Sequence, residues 1–331
     1  METTVTQPRR SRRYRQPVGS PPVIHEGDIA VFELLARQRY LDTNQLYGML
    51  AKAPNLMVFK WRLRKLYDFG YLDRPPQQRH DLHAPCIYEL DTKGRECVRE
   101  RGHSGTYSDL VTRGKHGAVR EFAHAKMIHD VLASIEKGAK AAGVRFITWQ
   151  EILSKVPEKT QNAANPYRFP RVKVYHPETK KPAEIALIPD ALFGLEFTTS
   201  EGKKFMRFAL EAEHRDCITR KKDFEKQNSF LKKALAYQAL MRRGNDGTSL
   251  VQQHLGIPGI AVLGVAPTLE RVEGMKNVIM QITEGKGSNR FFFNAIPVHG
   301  YPYKAPPPPM LDYFNAPWQC AGRDDFYINK L

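Results

Sequence analysis

The stretch that decides the reading is Ile188-Pro189-Asp190, followed after a polar turn by Phe205-Met206-Arg207-Phe208-Ala209-Leu210-Glu211-Ala212-Glu213. Each run is apolar and ends in acids. Two neighbouring strands of this kind deliver Asp190, Glu211 and Glu213 to one end of a sheet. Clustered carboxylates repel unless a cation neutralises them, so the pattern points to a hard divalent ion. In a basic protein the substrate suited to such an ion is a phosphodiester. The alternative is two amphipathic strands whose acids mark solvated ends.

Around this stretch the pattern is that of an α/β core. A long helix is expected from Glu121 to Ala142, and strands at Arg145–Trp149, Glu184–Phe197 and Lys204–Glu213. A helix at Phe224–Met241, a buried strand at Gly259–Val265, a helix at Thr268–Thr283 and a strand at Arg290–Ile296 follow. This order suits a sheet covered on both faces. His124 and His129 lie on the long helix five residues apart. They do not share a face as an i, i+4 metal pair would, so packing or capping is expected of each.

Towards the N-terminus, Asp28 is expected to cap a helix over Ile29–Arg37, Thr43 a second to about Ala51, and Asn55 a third to Phe69, stopped by Gly70. Phe59, Leu63 and Leu66 fall on one face of the third helix, and Met57, Lys60, Trp61 and Arg64 on or beside the other. Two strands, Tyr71–Arg74 and Cys86–Leu90, flank a polar loop that holds Arg79. Three helices and a hairpin in this order describe a winged helix-turn-helix. Its third helix, from Asn55 onward, could read a major groove with Met57, Lys60, Trp61 and Arg64, while Arg79 meets a phosphate. Winged helices also serve as protein-docking modules.

The net charge of +16 calls for a polyanionic partner, nucleic acid or an acidic membrane surface. No apolar run approaches the roughly 18–20 residues needed to cross a bilayer. The basic N-terminus lacks the apolar segment of a secretory signal. Cys86, Cys97, Cys217 and Cys320 are scattered, which argues against a zinc ribbon or a disulfide framework and for a reducing, cytoplasmic setting.

The expected organisation is therefore a disordered arm at 1–23, a winged helix-turn-helix at 24–99, a linker at 100–117, the α/β domain at 118–300 and a Pro- and aromatic-rich tail at 301–331. The arm carries Arg9, Arg10, Arg12 and Arg13, which could lie along phosphates or simply aid solubility. The tail, with Pro306 to Pro309 consecutive, is expected to lie extended on the surface.

The core order, with Pro-Asp on one strand and Glu-x-Glu on the next, resembles the PD-(D/E)xK nuclease superfamily. The wider chain resembles the replication-relaxation family of plasmid and mobile-element proteins. The matching stretches are Asn55–Arg74, the helix with His124, Ile188-Pro189-Asp190, Leu210-Glu211-Ala212-Glu213, and Lys233 with Tyr237 four residues later.

The resemblance implies an α+β multidomain protein with an N-terminal winged helix-turn-helix and a nuclease-like domain. It implies Mg²⁺ or Mn²⁺ on Asp190, Glu211 and Glu213. The third position departs from the superfamily pattern, being Glu213 where lysine is usual. Lys233 or Lys232, on the following helix, could supply the missing charge, or both could be solvated. His214, Arg215 and Arg220 could meet the DNA backbone or pair with acids.

The expected partner is double-stranded DNA, with a second copy of the chain or other mobile-element replication or mobilisation proteins alongside. The expected function is that of a DNA-binding protein of a plasmid, phage or other mobile element, whose nuclease-like domain is a candidate Mg²⁺-dependent endonuclease or nickase. The alternatives are a catalytically inactive DNA-binding accessory factor and a transcriptional regulator.

Overall fold

A computed structural model describes residues 14–50, 55–76, 85–102, 119–213, 218–219, 223–226, 228–296 and 312–330. Arg9, Arg10, Arg12, Arg13, Arg79, His214, Arg215 and Arg220 lie outside the described residues, as does most of the expected linker. The chain divides into two compact units. The first spans residues 1–122 with 300–307, and the second 123–299 with 308–331. Helices and a mixed sheet make the protein mixed α/β.

In the first unit α1 spans Glu26–Arg37, α2 Thr43–Leu50, α3 Leu56–Asp68 and α4 Thr92–Glu100. Strands β1 (Leu41–Asp42), β2 (Leu72–Asp73) and β3 (Ile87–Leu90) form an antiparallel sheet in the order β1-β3-β2. The cap of α1 is His25, not Asp28. Asp28 sits one turn inside, where its carboxylate accepts from the His25 N–H (3.0 Å) and from the Arg62 side chain. An acid at the third helical position reaches back to the cap residue's own amide, the reciprocal half of a capping box.

Helix α3 follows its sequence closely. Asn55 accepts from the Val58 N–H (2.9 Å), Leu63 and Leu66 are fully buried, and Gly70 ends it at φ +83°. The left-handed conformation is cheap for glycine alone. Helix α4, not foreseen as an element, buries only Gly94 and Val98. A Cβ at Gly94 would stand 2.3 Å from the Tyr71 carbonyl oxygen, so glycine lets α4 press on the chain entering β2.

The expected disorder of residues 1–23 does not extend over 14–23. Arg15 pairs with Asp91 and with Asp73 (3.2 Å), the Gln16 N–H donates to Asp68 (2.9 Å), and the Tyr14 carbonyl accepts from Arg64 (3.1 Å). Three acids, Asp68, Asp73 and Asp91, hold this segment, each at least 52 residues along the chain from its partner.

The second unit is built on seven strands in the order β12-β11-β10-β9-β8-β7-β4. In chain order they are β4 (Arg145–Ile147), β7 (Ala191–Thr199), β8 (Gly202–Ala212), β9 (Ala261–Ala266), β10 (Phe291–Ala295), β11 (Pro317–Cys320) and β12 (Arg323–Tyr327). A separate ribbon pairs β5 (Val172–Tyr175) with β6 (Pro182–Ile185). The single strand expected at Glu184–Phe197 is thus two, because Ile188-Pro189 interrupts it. Within the large sheet β8, β9 and β10 run parallel, and the other pairs antiparallel.

Helix α5 (Val119–Ala141) covers one face, where Ile128, Val131, Leu132 and Ile135 meet Phe193, Phe208, Leu210 and Val265. Short α6 (Trp149–Leu153) and α7 (Glu158–Gln161) follow β4. Helices α8 (Phe230–Met241), α9 (Leu250–Leu255) and α10 (Leu269–Ile282) come later, with α8 beginning six residues after the expected start. Phe230 and Tyr237 of α8 meet Phe293 and Phe291 edge-on across the opposite face.

The expected surface tail is corrected for residues 312–330. They supply β11 and β12, and Trp318 is fully buried with its indole N–H donated to the Tyr313 carbonyl (2.9 Å). Phe314 lies directly over Gly138 of α5, where a Cβ would come within 2.4 Å of the ring's own Cβ. The aromatics of this segment are core residues, and the prolines before them had obscured that. Replacing Trp318 by Ala should cost about 3–5 kcal/mol of stability through the cavity left. Urea unfolding measures it, and a change near zero would return the segment to the surface.

Candidate functional site

The antiparallel pairing of β7 with β8 sets Ala191 opposite Leu210, so Asp190 and Glu211 arrive at the same sheet end. Strand alternation then divides the residues. Phe208, Leu210 and Ala212 face α5, while Glu211 and Glu213 lie beneath α8. The Glu213 N–H donates to the Val265 carbonyl (2.8 Å), which extends the ladder by one residue and fixes its backbone.

Helix α8 is capped by Ser229, whose hydroxyl accepts from the Lys232 N–H (3.3 Å). Lys233 and Tyr237, four residues apart, share the face turned to the sheet. The Lys233 ammonium donates to Glu211 Oε2 (2.8 Å) and Glu213 Oε1 (2.9 Å), and the Tyr237 hydroxyl donates to Glu211 Oε1 (2.6 Å). Both oxygens of the fully buried Glu211 are thereby taken. Lys232 points elsewhere, donating to the Glu225 carbonyl (3.0 Å).

Asp190 completes the group. Its Oδ2 accepts from the Ala212 N–H (2.8 Å) and lies 3.4 Å from His124 Nε2, which is itself 2.9 Å from the Ala212 carbonyl. His124, expected to pack or cap, is therefore part of the cluster. Only its place in the family-like helix hinted at that.

The electrostatics follow from three acids sharing one lysine and one histidine. Burial works against the Asp190 charge, but His124 and Lys233 outweigh it and hold the carboxyl at about 2. Burial works against the His124 charge too, and Asp190 outweighs it, so the ring rises to about 9. Glu211 is pushed up to about 7 by burial and by neighbouring Asp190. Lys233 is opposed by burial yet held well above its ordinary value by Glu211, Asp190 and Glu213.

The ammonium of Lys233 occupies the position a cation would take between Glu211 and Glu213. Among the described residues no group of three or more His, Cys, Asp and Glu side chains stands in a metal-holding arrangement. With both Glu211 oxygens already bonded, a divalent ion at Glu211 would have to displace Lys233 or Tyr237. As arranged, the set clamps α8 to the sheet end.

The first unit carries the other candidate residues. Asn55 serves as the cap of α3. Met57 (56% exposed) and Trp61 (69%) stand out from the helix, with Lys60 exposed beside them. Arg64 does not join that face: its guanidinium is bonded to Asp68 (2.7 Å) and to the Tyr14 carbonyl. Val18, Trp61, Arg64, Lys65, Asp68 and Phe69 line a pocket of about 640 Å³ alongside.

The chain matches the replication-relaxation family over residues 32–249, well over half its length. It belongs to the replication-relaxation family. No curated protein and no solved structure matches significantly. The family match takes in α3, β7, β8 and α8 and stops before β9, so four of the seven strands of the large sheet lie beyond it. Membership ties the chain to the replication of mobile elements. Among the described residues no helix is long and apolar enough to cross a membrane.

The clamp can be tested through stability. Tyr237→Phe leaves a buried carboxylate oxygen without its donor and should cost about 1–3 kcal/mol. Lys233→Met leaves buried acids uncompensated and should cost more, about 3–5 kcal/mol. Denaturant unfolding of the two variants in parallel would show a small, equal effect if the cluster were only solvated.

A pH series checks the histidine. Its pKa is raised in the folded chain, so its contribution is complete below the unfolded value near 6.5 and is lost as pH rises through about 9. His124→Gln should flatten the fall in stability over that window. An unchanged slope would show that the Asp190 pairing does not matter.

Proposed function

We propose that this family member is a DNA-binding accessory protein of mobile-element replication. In this reading the first unit is a winged helix-turn-helix and the second a PD-(D/E)xK-like core whose acids are structural. The observation that carries the reading is the outer face of α3, where Met57, Lys60 and Trp61 are exposed without burial to account for them. A lysine beside a flat, exposed indole suits a major groove, where phosphates and thymine methyls lie side by side. The +16 charge supports a polyanionic partner.

Trp61 buries little, so replacing it should leave the fold intact. Lys60→Ala with Trp61→Ala should weaken duplex binding and lower the log–log salt slope by about one unit for the lost phosphate contact. Arg64→Ala should act on stability instead, because Arg64 is spent on Asp68 and Tyr14. Unchanged affinity and slope in the Lys60/Trp61 variant would remove α3 from the interface.

One observation favours a second reading, a metal-dependent nickase. Lys233 turns into the acids, bonding Glu211 and Glu213, and on this reading it would stand in for the lysine missing at position 213. Incubation with supercoiled plasmid, with and without Mg²⁺ or Mn²⁺, separates the two. Nicked circles that appear with the wild-type chain and vanish with Asp190→Ala would establish the nickase. Intact supercoils with both would leave the accessory role.

A further inference from the structure

The ribbon of β5 and β6 stands outside the large sheet and is used by neither reading above. Its inner residues Val172, Val174, Ala183 and Ile185 are buried, and both strands pack on α8. His176 meets Phe224 edge-on at 5.1 Å and is itself buried. The ribbon is thus mounted on the helix that carries Lys233 and Tyr237.

Its outer face has a different chemistry. Lys173 and Tyr175 alternate outward on β5, with the ammonium 5.6 Å from the ring centre and the ring still 53% exposed. Arg168, Arg171, Lys180 and Lys181 are exposed as well. Two acids lie in the segment: Glu184, opposite Lys173 on the same face, is 3.6 Å from Arg171, and Glu178 accepts from Gln281 (2.9 Å).

The turn is closely tied. The His176 ring Nδ1 accepts from the Glu178 and Thr179 N–H groups (3.2 Å each), and the His176 backbone bonds Lys180 and Lys181 (2.9 Å each). Lys180 sits at φ +56°, in the left-handed region. Glycine would be unstrained there, so the chain keeps a lysine at a position that disfavours it. The left-handed residue closes the turn, and it leaves the Lys180 side chain exposed at the ribbon's end.

We propose that the outer face of this ribbon, with the turn that ends it, is a second nucleic-acid contact, taking the phosphates of an unpaired strand on Lys173 and Lys180 and a base on Tyr175. An unpaired strand offers phosphates and bare base faces together, whereas a duplex hides its base faces in the stack. Cations interleaved with an exposed aromatic along a rigid strand match the first and not the second. The proposal rests on the reading of the chain as a DNA-binding protein, and it assigns a different element and a different form of DNA.

The test uses the full chain with a labelled unpaired oligonucleotide and the labelled duplex of the same sequence, followed by anisotropy over a salt series. Tyr175→Ala should weaken binding of the unpaired strand by about tenfold with its salt slope unchanged. Lys173→Ala with Lys180→Gly should lower that slope by about 1.4 units, two contacts at roughly 0.7 each. The single variant Lys180→Gly should keep or raise the melting temperature, so that lost binding there is not lost folding.

Duplex binding should stay at the wild-type level in all three, and should fall instead in the Lys60/Trp61 variant. Ribbon variants that bind the unpaired strand like wild type would overturn the proposal while leaving the α3 reading intact. Equal losses on both probes would overturn the assignment to an unpaired strand. A wild-type chain that binds neither probe would overturn this proposal and the DNA-binding reading together.

Discussion

The ammonium of Lys233, held between Glu211 and Glu213 beneath α8, is the contact on which the second unit turns. Separating a buried lysine from its acids strands charge on both sides, so the helix and the sheet end cannot drift apart independently. Tyr237 ties down the remaining oxygen of Glu211. Across the strand, the Ala212 amide and carbonyl hold Asp190 and His124. The cluster therefore joins β7, β8, α5 and α8 at one point. Aromatic packing on each face of the sheet does the rest.

Such a cluster is ambiguous in chemistry but not in structure. The same three acids that could serve a cation are served here by a lysine and a histidine of the chain itself. That substitution explains how so many carboxylates can be buried at one strand end. It also explains why Glu211 is pushed towards neutrality while Asp190 stays firmly ionised: Asp190 has the histidine, and Glu211 shares its lysine.

Much of this was legible in the residues. The Asn55 cap, the spacing of Phe59, Leu63 and Leu66, and Gly70 defined α3 because capping and periodicity are local. The acids at 190, 211 and 213 could be brought to one sheet end because strand alternation is equally local. Lys233 with Tyr237 was visible through the family resemblance, which left Lys233 open between the acids and solvent. Three things were hidden. Helix α4 buries too few apolar residues to show a stripe. His124 gains its role only from a strand some 88 positions away. The core strands β11 and β12 were masked by the proline run before them, which reads as an extended tail to any argument from composition.

The position of those late strands has a further meaning for how the protein is made. The Tyr313 amide bonds Ser134 of α5, a partner 179 residues earlier. As the chain grows, α5 forms long before the segment that covers its Gly138 side exists. Its apolar surface must wait, exposed or loosely paired, while β4 to β10 are completed. Contacts of such separation close slowly and leave intermediates prone to association. A nascent chain halted near residue 300 would hold the acid cluster and most of the sheet yet lack the lid on α5.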